Sequence, residues 1–248
     1  MPIAQERLIT YSDLARVVGT GLLSTGIGLL VFVAITVVWG DPFTRLSEQA
    51  EQKQLFAEFE TVAPDPETLA NASLDAELTR LQAVASKRSV KLGSPAGQIS
   101  IPAIKVTKIF VHGARDDTPD LSKGPGLYQN TPFPGTGAPL AIAGHRTTHG
   151  APFLDLDRLD LGDRILLTVP YGKFTYTVTR TAIVGTRAWS ILQYGAAERA
   201  SRSRSNFRAT RNCGATCEHL VLTACHPKWS SDERIAVFAR LTKVQLAA

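Results

Sequence analysis

The sequence lacks the features that mark several large classes of protein. Its formal net charge at pH 7 is only +5 over 248 residues, and it has three cysteines and no visible internal repeat. A net charge this small argues against a dedicated nucleic-acid binder, and none of the motifs of such proteins occurs. No complete set of metal ligands with the usual spacing is present either. We therefore expect no nucleic-acid partner, no metal and no organic cofactor.

One long uncharged run stands out near the beginning of the chain. Residues 17–39 form 23 consecutive positions without a charged side chain. At about 1.5 Å per residue, a helix of this length reaches roughly 35 Å, more than the bilayer core of about 30 Å. A signal peptide is the alternative, but the run exceeds the usual apolar region of about 7–15 residues and no A-x-A-like cleavage site follows. We predict a transmembrane helix.

The charges on either side of this run indicate its orientation. Arg7 and Arg16 precede it, and Asp41 follows it directly. Because positively charged flanks tend to stay in the cytoplasm, this mild bias predicts that residues 1–16 are cytoplasmic and that the C-terminal bulk lies outside. The chain is then a single-pass protein of the cell membrane.

The rest of the chain divides into two regions. Residues 40–96 are rich in Glu, Gln, Ala and Leu at partial helical spacing, with Pro64 and Pro66 as a break. We interpret them as a helical stalk or linker that lifts the following domain off the bilayer. Residues 97–248 contain short strand candidates separated by Gly, Pro and Asp clusters.

The second region predicts a mainly β domain. Seven or eight short strands over about 150 residues fit a closed or nearly closed barrel, a size at which about 70% of the unfolded surface can be buried. The strand candidates are ISIPAI, KIFVHG, LAIAGH, RILLTVP, KFTYTVTRTAIVG, HLVLTAC and RIAVFARL.

Three of these segments carry reactive side chains away from their aliphatic face, since successive side chains of a strand point to opposite faces. His145 lies opposite the leucine and isoleucine of LAIAGH, and Cys225 lies opposite the leucines of HLVLTAC. Arg234 is separated by the pleat from the aliphatic residues of RIAVFARL. His226 adjoins the cysteine but faces the other way, so we do not expect it to act as the base.

A thiol, an imidazole and a guanidinium are the parts needed for covalent acyl transfer. A thiol with an ordinary pKa of about 8.5 is only a few per cent thiolate at neutral pH, so a nucleophilic cysteine needs a nearby base or cation. An imidazole supplies either one and later protonates the leaving amine. A guanidinium offers fixed donors to the oxyanion that develops. Taken singly, each residue has a structural explanation: a buried hydrophobe, a hydrogen-bonded histidine and a surface charge.

At these residues the sequence resembles the sortases, membrane-anchored cysteine transpeptidases of Gram-positive bacteria. Their motif is a His at the end of one barrel strand, a later strand that ends with a Thr shortly before a Cys, and an Arg on the strand after that. The matching residues here are GH at 144–145, LTAC at 222–225 and Arg234. Other segments that look like sortase sequence are WGDPFT at 39–44, IPAIKV at 101–106, KGPGLYQNTPFPGTG at 123–137 and LDRLDLGDRILLT at 156–168.

The resemblance implies an eight-stranded barrel with short helices and a role for each residue. Cys225 would be the nucleophile, His145 the general acid and base, and Arg234 the group that stabilises the oxyanion and substrate. The partners would be surface proteins with a C-terminal sorting signal and an amine of a cell-wall precursor, joined through a thioester acyl-enzyme without any cofactor. The long polar stretch over 188–218 would form one wall of the sorting-signal groove.

Among the subclasses, the chain looks most like class E. A GHRTTYGAPF segment is typical of that class, and this sequence has GHRTTHGAPF, with His149 in place of the Tyr. The class implies a signal of the LAxTG kind that is cleaved between Thr and Gly. Two alternatives stay open: a pilin-polymerising sortase, and a non-catalytic anchored β-domain that binds peptide or cell wall. A papain-like hydrolase is disfavoured because its cysteine precedes its histidine in the chain.

The other two cysteines, Cys213 and Cys217, lie close together in NCGATC, where Gly214 eases a turn. We expect a disulfide between them, since an extracytoplasmic location would permit oxidation. The alternatives are two free thiols, or a partial metal site that also includes His219.

Overall fold

The computed structural model describes residues 11–39, 42–61, 69–70, 91–114, 121–129, 131–188 and 218–247. The chain forms two compact units, Met1–Pro42 and Phe43–Ala248. The first unit contains helix α1 (Tyr11–Trp39), and the described part of the second consists of one α-helix, strands, short 3-10 helices and the loops between them.

Helix α1 has the properties of a membrane anchor. Its segment Leu14–Thr36 is 23 residues long with a mean hydropathy of 2.1. The hydroxyls of Thr20, Ser24 and Thr36 donate to backbone carbonyls of the preceding turn of the helix, at 2.7–2.9 Å. Since lipid offers no hydrogen-bond partners, such internal bonds suit a helix in a bilayer.

Within the described residues, the second unit contains nine strands and helix α2 (Pro42–Glu60), whose first residue is the last of the first unit. The strands are β1 (Leu69–Ala70), β2 (Pro95–Ile101), β3 (Val106–His112), β4 (Gly126–Leu127), β5 (Leu140–Ala143), β6 (Arg164–Val169), β7 (Gly172–Gly185), β8 (His219–His226) and β9 (Glu233–Ala247).

Eight of these strands form a closed barrel. The hydrogen-bonded order is β9-β7-β6-β2-β3-β4-β5-β8, and β8 pairs back with β9 to close the ring. The pairs β3–β4 and β5–β8 are parallel, and the others in the ring are antiparallel. The long β7–β9 ladder is interrupted by register shifts that let both strands bend around the barrel. The predicted mainly β, eight-stranded fold is confirmed.

The barrel wall is apolar on both sides where β5, β8 and β9 meet. The inward side chains of these strands, such as Ile142, Leu222 and Val237, belong to the main core. The alternate residues form a second buried cluster on the outer side: Ala141, Val221, Ala236 and Phe238. Burial on both faces explains why these strands read as nearly continuous apolar runs in the sequence. The outer cluster lies on the same face of these strands as the predicted reactive residues.

Helix α2 packs against strand β3. Leu55 and Phe59 contact Ile109 and Val111 in a small buried cluster. Strand β4 pairs only with residues 111–112 of β3. Next to this short pairing, the side chain of Gln52 makes the backbone hydrogen bonds that a neighbouring strand would otherwise make. Its Oε1 accepts from the Ile109 N–H at 2.8 Å, and its Nε2 donates to the Ile109 carbonyl at 2.9 Å. The same Nε2 donates to a carbonyl in the turn before β4, that of Lys123, at 2.7 Å.

The docked helix α2 lies within residues 40–96, the predicted helical stalk or linker, and the bounds of that region stay a prediction. The helical spacing is present, but α2 belongs to the same compact unit as the barrel, and its inward face is half polar. Glu48 is buried there and accepts two bonds from the Lys108 ammonium, at 2.6 and 2.7 Å. Strand β2 begins at Pro95, two positions before the predicted domain boundary. Most of residues 62–90 lie outside the described ranges.

A buried carboxylate holds the N-terminal end of β8, the end away from Cys225. Glu218 is fully buried and accepts hydrogen bonds from the N–H groups of Gly135 and Gly137, at 2.8–3.0 Å, and from the Tyr176 hydroxyl. Burial raises the pKa of Glu218 from 4.5 to about 7, because desolvation outweighs the bonds that favour the charged form. Burial and the nearby carboxylate raise the pKa of Tyr176 well above its usual value.

Replacing Gln52 with Ala should destabilise the barrel. The variant leaves the N–H and carbonyl of Ile109 without their side-chain partner, and a buried unsatisfied group costs about 1–3 kcal/mol. We expect the free energy of unfolding in a denaturant titration to fall by at least about 2 kcal/mol. The matched control is Gln54→Ala, an exposed glutamine on the same helix. Its effect should stay within about 0.5 kcal/mol, and equal losses in both variants would contradict the docking role of Gln52.

Glu218 should make stability depend on pH. Its folded pKa of about 7 lies above the ordinary 4.5, so the folded state holds the proton more tightly than the unfolded state. The resulting stabilisation is complete below pH 4.5 and is lost as the pH rises through about 7, a change of about 3 kcal/mol. Denaturant midpoints at low and neutral pH should therefore differ more in the wild type than in Glu218→Gln. The exposed Glu233→Gln control should follow the wild type; a Glu218→Gln variant with the wild-type pH dependence would reject this linkage.

Candidate active site

Strand β8 lies between the two strands that carry the other predicted catalytic residues. It pairs in parallel with β5, with Ala143 opposite Thr223, and the N–H of Gly144 then donates to the Thr223 carbonyl at 3.0 Å. His145 and Cys225 each follow two residues after that last pair. Since neighbouring strands lie about 4.8 Å apart, these two residues are neighbours across the strand ends.

Strand β9 contributes the third residue. Its antiparallel register with β8 sets Arg234 directly opposite Cys225. Directly opposed residues on neighbouring strands point to the same face of the sheet. Because Ala224 and Ile235 point into the barrel core, Cys225 and Arg234 point outward. The structure therefore brings together the three residues that the sequence singled out.

Each of the three side chains is partly accessible. Cys225 is a free thiol. Its side chain is half-buried, and so are the side chains of His145 and Arg234. Partial burial reduces competition from water, whereas the remaining exposure leaves the three side chains within reach of another molecule. Such a half-exposed thiol beside basic groups is the environment in which cysteines react.

The guanidinium of Arg234 is oriented by the turn that joins β8 to β9. Its Nη1 donates to the carbonyls of Ser231 and Glu233, both at 2.9 Å. Neither bond uses Nε or Nη2. The two carbonyls thus hold the guanidinium in one plane, and its Nε–H and Nη2–H donors take no part in these two bonds.

The loop after β5 orients His145. The Nδ1 atom lies 3.2 Å from the hydroxyl oxygen of Thr148, and the imidazole stacks on that of His149 with ring centroids 4.4 Å apart. His149, Gly150 and Ala151 all have positive φ angles, of 49°, 71° and 47°. A Cβ at Gly150 would meet the carboxylate of Glu48 from helix α2, and the positive φ angle also favours glycine at this position.

A second layer of polar residues lies on the inward side of the same strand ends. Arg146 and His226 follow His145 and Cys225 in the chain and therefore point to the opposite face. The Arg146 Nη1 and the His226 Nδ1 are 3.2 Å apart. The position of His226 agrees with the sequence-based expectation that it is not the base. Sequence analysis missed Arg146, because an arginine next to a strand end normally suggests a surface charge.

Other predicted features lie outside the described residues. They are the cysteines Cys213 and Cys217 and the groove wall, of which only the end residues 188 and 218 are described. Within the described parts of the chain, no group of three His, Cys, Asp or Glu side chains is placed to hold a metal ion.

Known proteins of one family are similar to this chain. The family model "Sortase domain" matches residues 99–242, more than half of the chain. Sortase D of Bacillus subtilis (strain 168) is 30% identical over 135 residues, which are 54% of this chain and 56% of that protein. The match thus spans little more than half the length of this curated relative.

Two solved structures share the fold. The Sortase D5 transpeptidase of Clostridium perfringens superposes with a TM-score of 0.54 at 20% identity, covering 78% of this chain and 99% of that one. Sortase E1 of Streptomyces coelicolor gives 0.50 at 22% identity, covering 64% and 94%. Because these relatives include both D and E types, assignment to class E stays a prediction. The matched domain nevertheless shows that the chain belongs to the sortase family of cysteine transpeptidases.

Proposed function

We propose that this protein is a membrane-anchored, class E-like sortase in which Cys225, His145 and Arg234 carry the reaction. The observation that supports this most strongly is the register of β5, β8 and β9. Residues from three separate parts of the chain meet on one face at one end of the barrel. A non-catalytic β-domain has no need to gather a thiol, an imidazole and a guanidinium at one point.

The first half of the reaction forms a thioester. His145 takes the proton of the Cys225 thiol, and the sulfur bonds to the carbonyl carbon of the scissile peptide bond. The carbonyl oxygen becomes an oxyanion. When this intermediate collapses, the carbon–nitrogen bond breaks and His145 returns the proton to the leaving amine. Thr148 engages Nδ1, which makes Nε2 the atom that we assign to these proton transfers.

The second half transfers the acyl group to a new amine. The amine nitrogen bonds to the thioester carbonyl carbon and gives a proton to His145. The carbon–sulfur bond then breaks, and His145 returns the proton to the Cys225 sulfur. Arg234 serves both halves by donating N–H bonds to the oxyanion, in a geometry set by its two carbonyl contacts. Such donors lower the barrier because they are oriented before charge develops.

We further propose the substrates from the class E resemblance. The donor is a surface protein with an LAxTG-like C-terminal signal cleaved between Thr and Gly, and the acceptor is an amine of a cell-wall precursor. Sortase E1 of Streptomyces coelicolor was solved with a tripeptide in its active site, which supports a peptide ligand for the related site here. His149, stacked on His145, is placed to influence which peptide or amine is accepted.

This chemistry takes place outside the cell in our proposal. Helix α1 anchors the protein with its N-terminus in the cytoplasm, and the barrel is extracytoplasmic. The positive flank before the helix supports this orientation.

Replacing Cys225 with Ala should abolish cleavage of a sorting-signal peptide while the melting temperature changes little, since the side chain is small and half-exposed. Mass spectrometry of the wild-type protein incubated with an LAxTG peptide should reveal an acyl adduct on Cys225. An adduct on Cys213 or Cys217 instead would show that the nucleophile has been assigned wrongly.

Replacing Arg234 with Ala should lower kcat by about 100- to 1,000-fold with a much smaller change in KM, because the charge is needed mainly when the oxyanion forms. Arg234→Lys should also lose most activity, since an ammonium cannot reproduce the guanidinium fork. Steady-state peptide cleavage measures both variants. The control is Arg240→Ala, an exposed arginine on the same strand. A loss of about tenfold or less in Arg234→Ala would assign Arg234 a supporting role.

A further inference from the structure

Arg146 is among the most buried side chains of the barrel. Only 2% of the residue is exposed, although it carries a permanent charge. Removing a guanidinium from water costs several kcal/mol unless partners replace the lost hydration. Its contacts therefore have to be explained, and the reaction scheme above leaves them unused.

The guanidinium contacts two segments that are distant from each other in the sequence. Nε donates to the Leu154 carbonyl at 3.0 Å, and Nη2 lies 2.9 Å from the Asp157 carboxylate. Nη1 donates to the Cys225 carbonyl at 3.3 Å and lies 3.2 Å from the His226 Nδ1. Because a guanidinium only donates, the Nδ1 of His226 must accept, which fixes the tautomer with its proton on Nε2.

These contacts continue the link between β5 and β8 beyond the end of the sheet. The strand pairing ends with the bond from Gly144 to Thr223. The next link is the bond from Arg146 to the Cys225 carbonyl, two residues further along each segment. His145 thus lies between two bonds that tie its own segment to the one carrying Cys225.

We infer that Arg146 is a positioning residue that holds His145 at working distance from Cys225. This inference rests on the proposed function. The planar fork is needed because its three nitrogens reach the turn at 154–157 and the end of β8 at the same time. A displacement of about 1 Å between reacting groups can cost about 100-fold in rate, so a residue that never touches substrate can still control the reaction.

The test measures the reactivity of the thiol in the full-length protein in detergent. The rate of alkylation of Cys225 by iodoacetamide is followed by peptide mass spectrometry, which separates it from the other two cysteines. The variants are Arg146→Gln, His145→Ala and the double variant, each measured well below its melting temperature. Arg158→Gln is the matched control, an exposed arginine in the neighbouring turn with a side chain that is 72% exposed.

We expect Arg146→Gln to slow alkylation about tenfold or more, to nearly the rate of His145→Ala. In the His145→Ala background, Arg146→Gln should have no further effect, because Arg146 acts through the histidine. For peptide cleavage, Arg146→Gln should lower kcat by about 100-fold with little change in KM. Arg158→Gln should match the wild type. A residue with a merely structural role would lower the melting temperature without this dependence on His145.

Two further variants keep the test decisive if Arg146→Gln folds poorly. Asp157→Asn keeps the guanidinium but weakens its ionic contact, and should slow alkylation less than Arg146→Gln does. Arg146→Lys keeps the charge without the fork, and should remain slow. Wild-type alkylation in Arg146→Lys or Arg146→Gln, with a slow His145→Ala, would overturn the positioning role alone. A wild-type rate in His145→Ala would reject the catalytic pair itself and the positioning role with it.

Discussion

The site depends on the pairing of β8 with β5 on one edge and with β9 on the other. Because both registers are fixed, the end of β5 that leads to His145 lies on one side of Cys225. Arg234 lies directly opposite Cys225 on the other side. A slip of one residue in either pairing would turn the reactive side chain into the barrel core, since side chains alternate between faces. Burial of both faces of these strands makes such a slip costly.

Buried polar side chains complete the barrel where its backbone pairing ends. Gln52 continues the short β3–β4 ladder, Glu218 holds the glycine turn before β5, and Arg146 joins the ends of β5 and β8. Each satisfies several groups that would otherwise be buried without partners, so each is costly to remove. Helix α2 also reaches the loop after β5, because Glu48 lies against Gly150. The segment after helix α1 is thus part of the wall that supports the candidate site.

The strand pattern could be predicted because it follows from simple alternation. All seven strand candidates correspond to observed strands, whereas β1 and β4 were missed, since two residues carry no periodic signal. The common outward face of Cys225 and Arg234 also followed from alternation. The docking of α2 could not be predicted, because its inward face includes Glu48 and Gln52, which hydropathy assigns to solvent. Arg146 was missed for the same reason: the partners that make its burial possible are distant in sequence.

The sequence by itself determined the apolar helix and the mainly β domain, and it singled out a thiol, an imidazole and a guanidinium as the proposed reactive set. These are local properties, set by the hydropathy and alternation of neighbouring residues. Tertiary structure decided which strands pair, and therefore that His145, Cys225 and Arg234 meet at one end of the barrel. It also decided that α2 lies against β3 and that Arg146 is buried beneath the site. Pairing and burial depend on contacts between distant segments, whose free energy no single segment reveals.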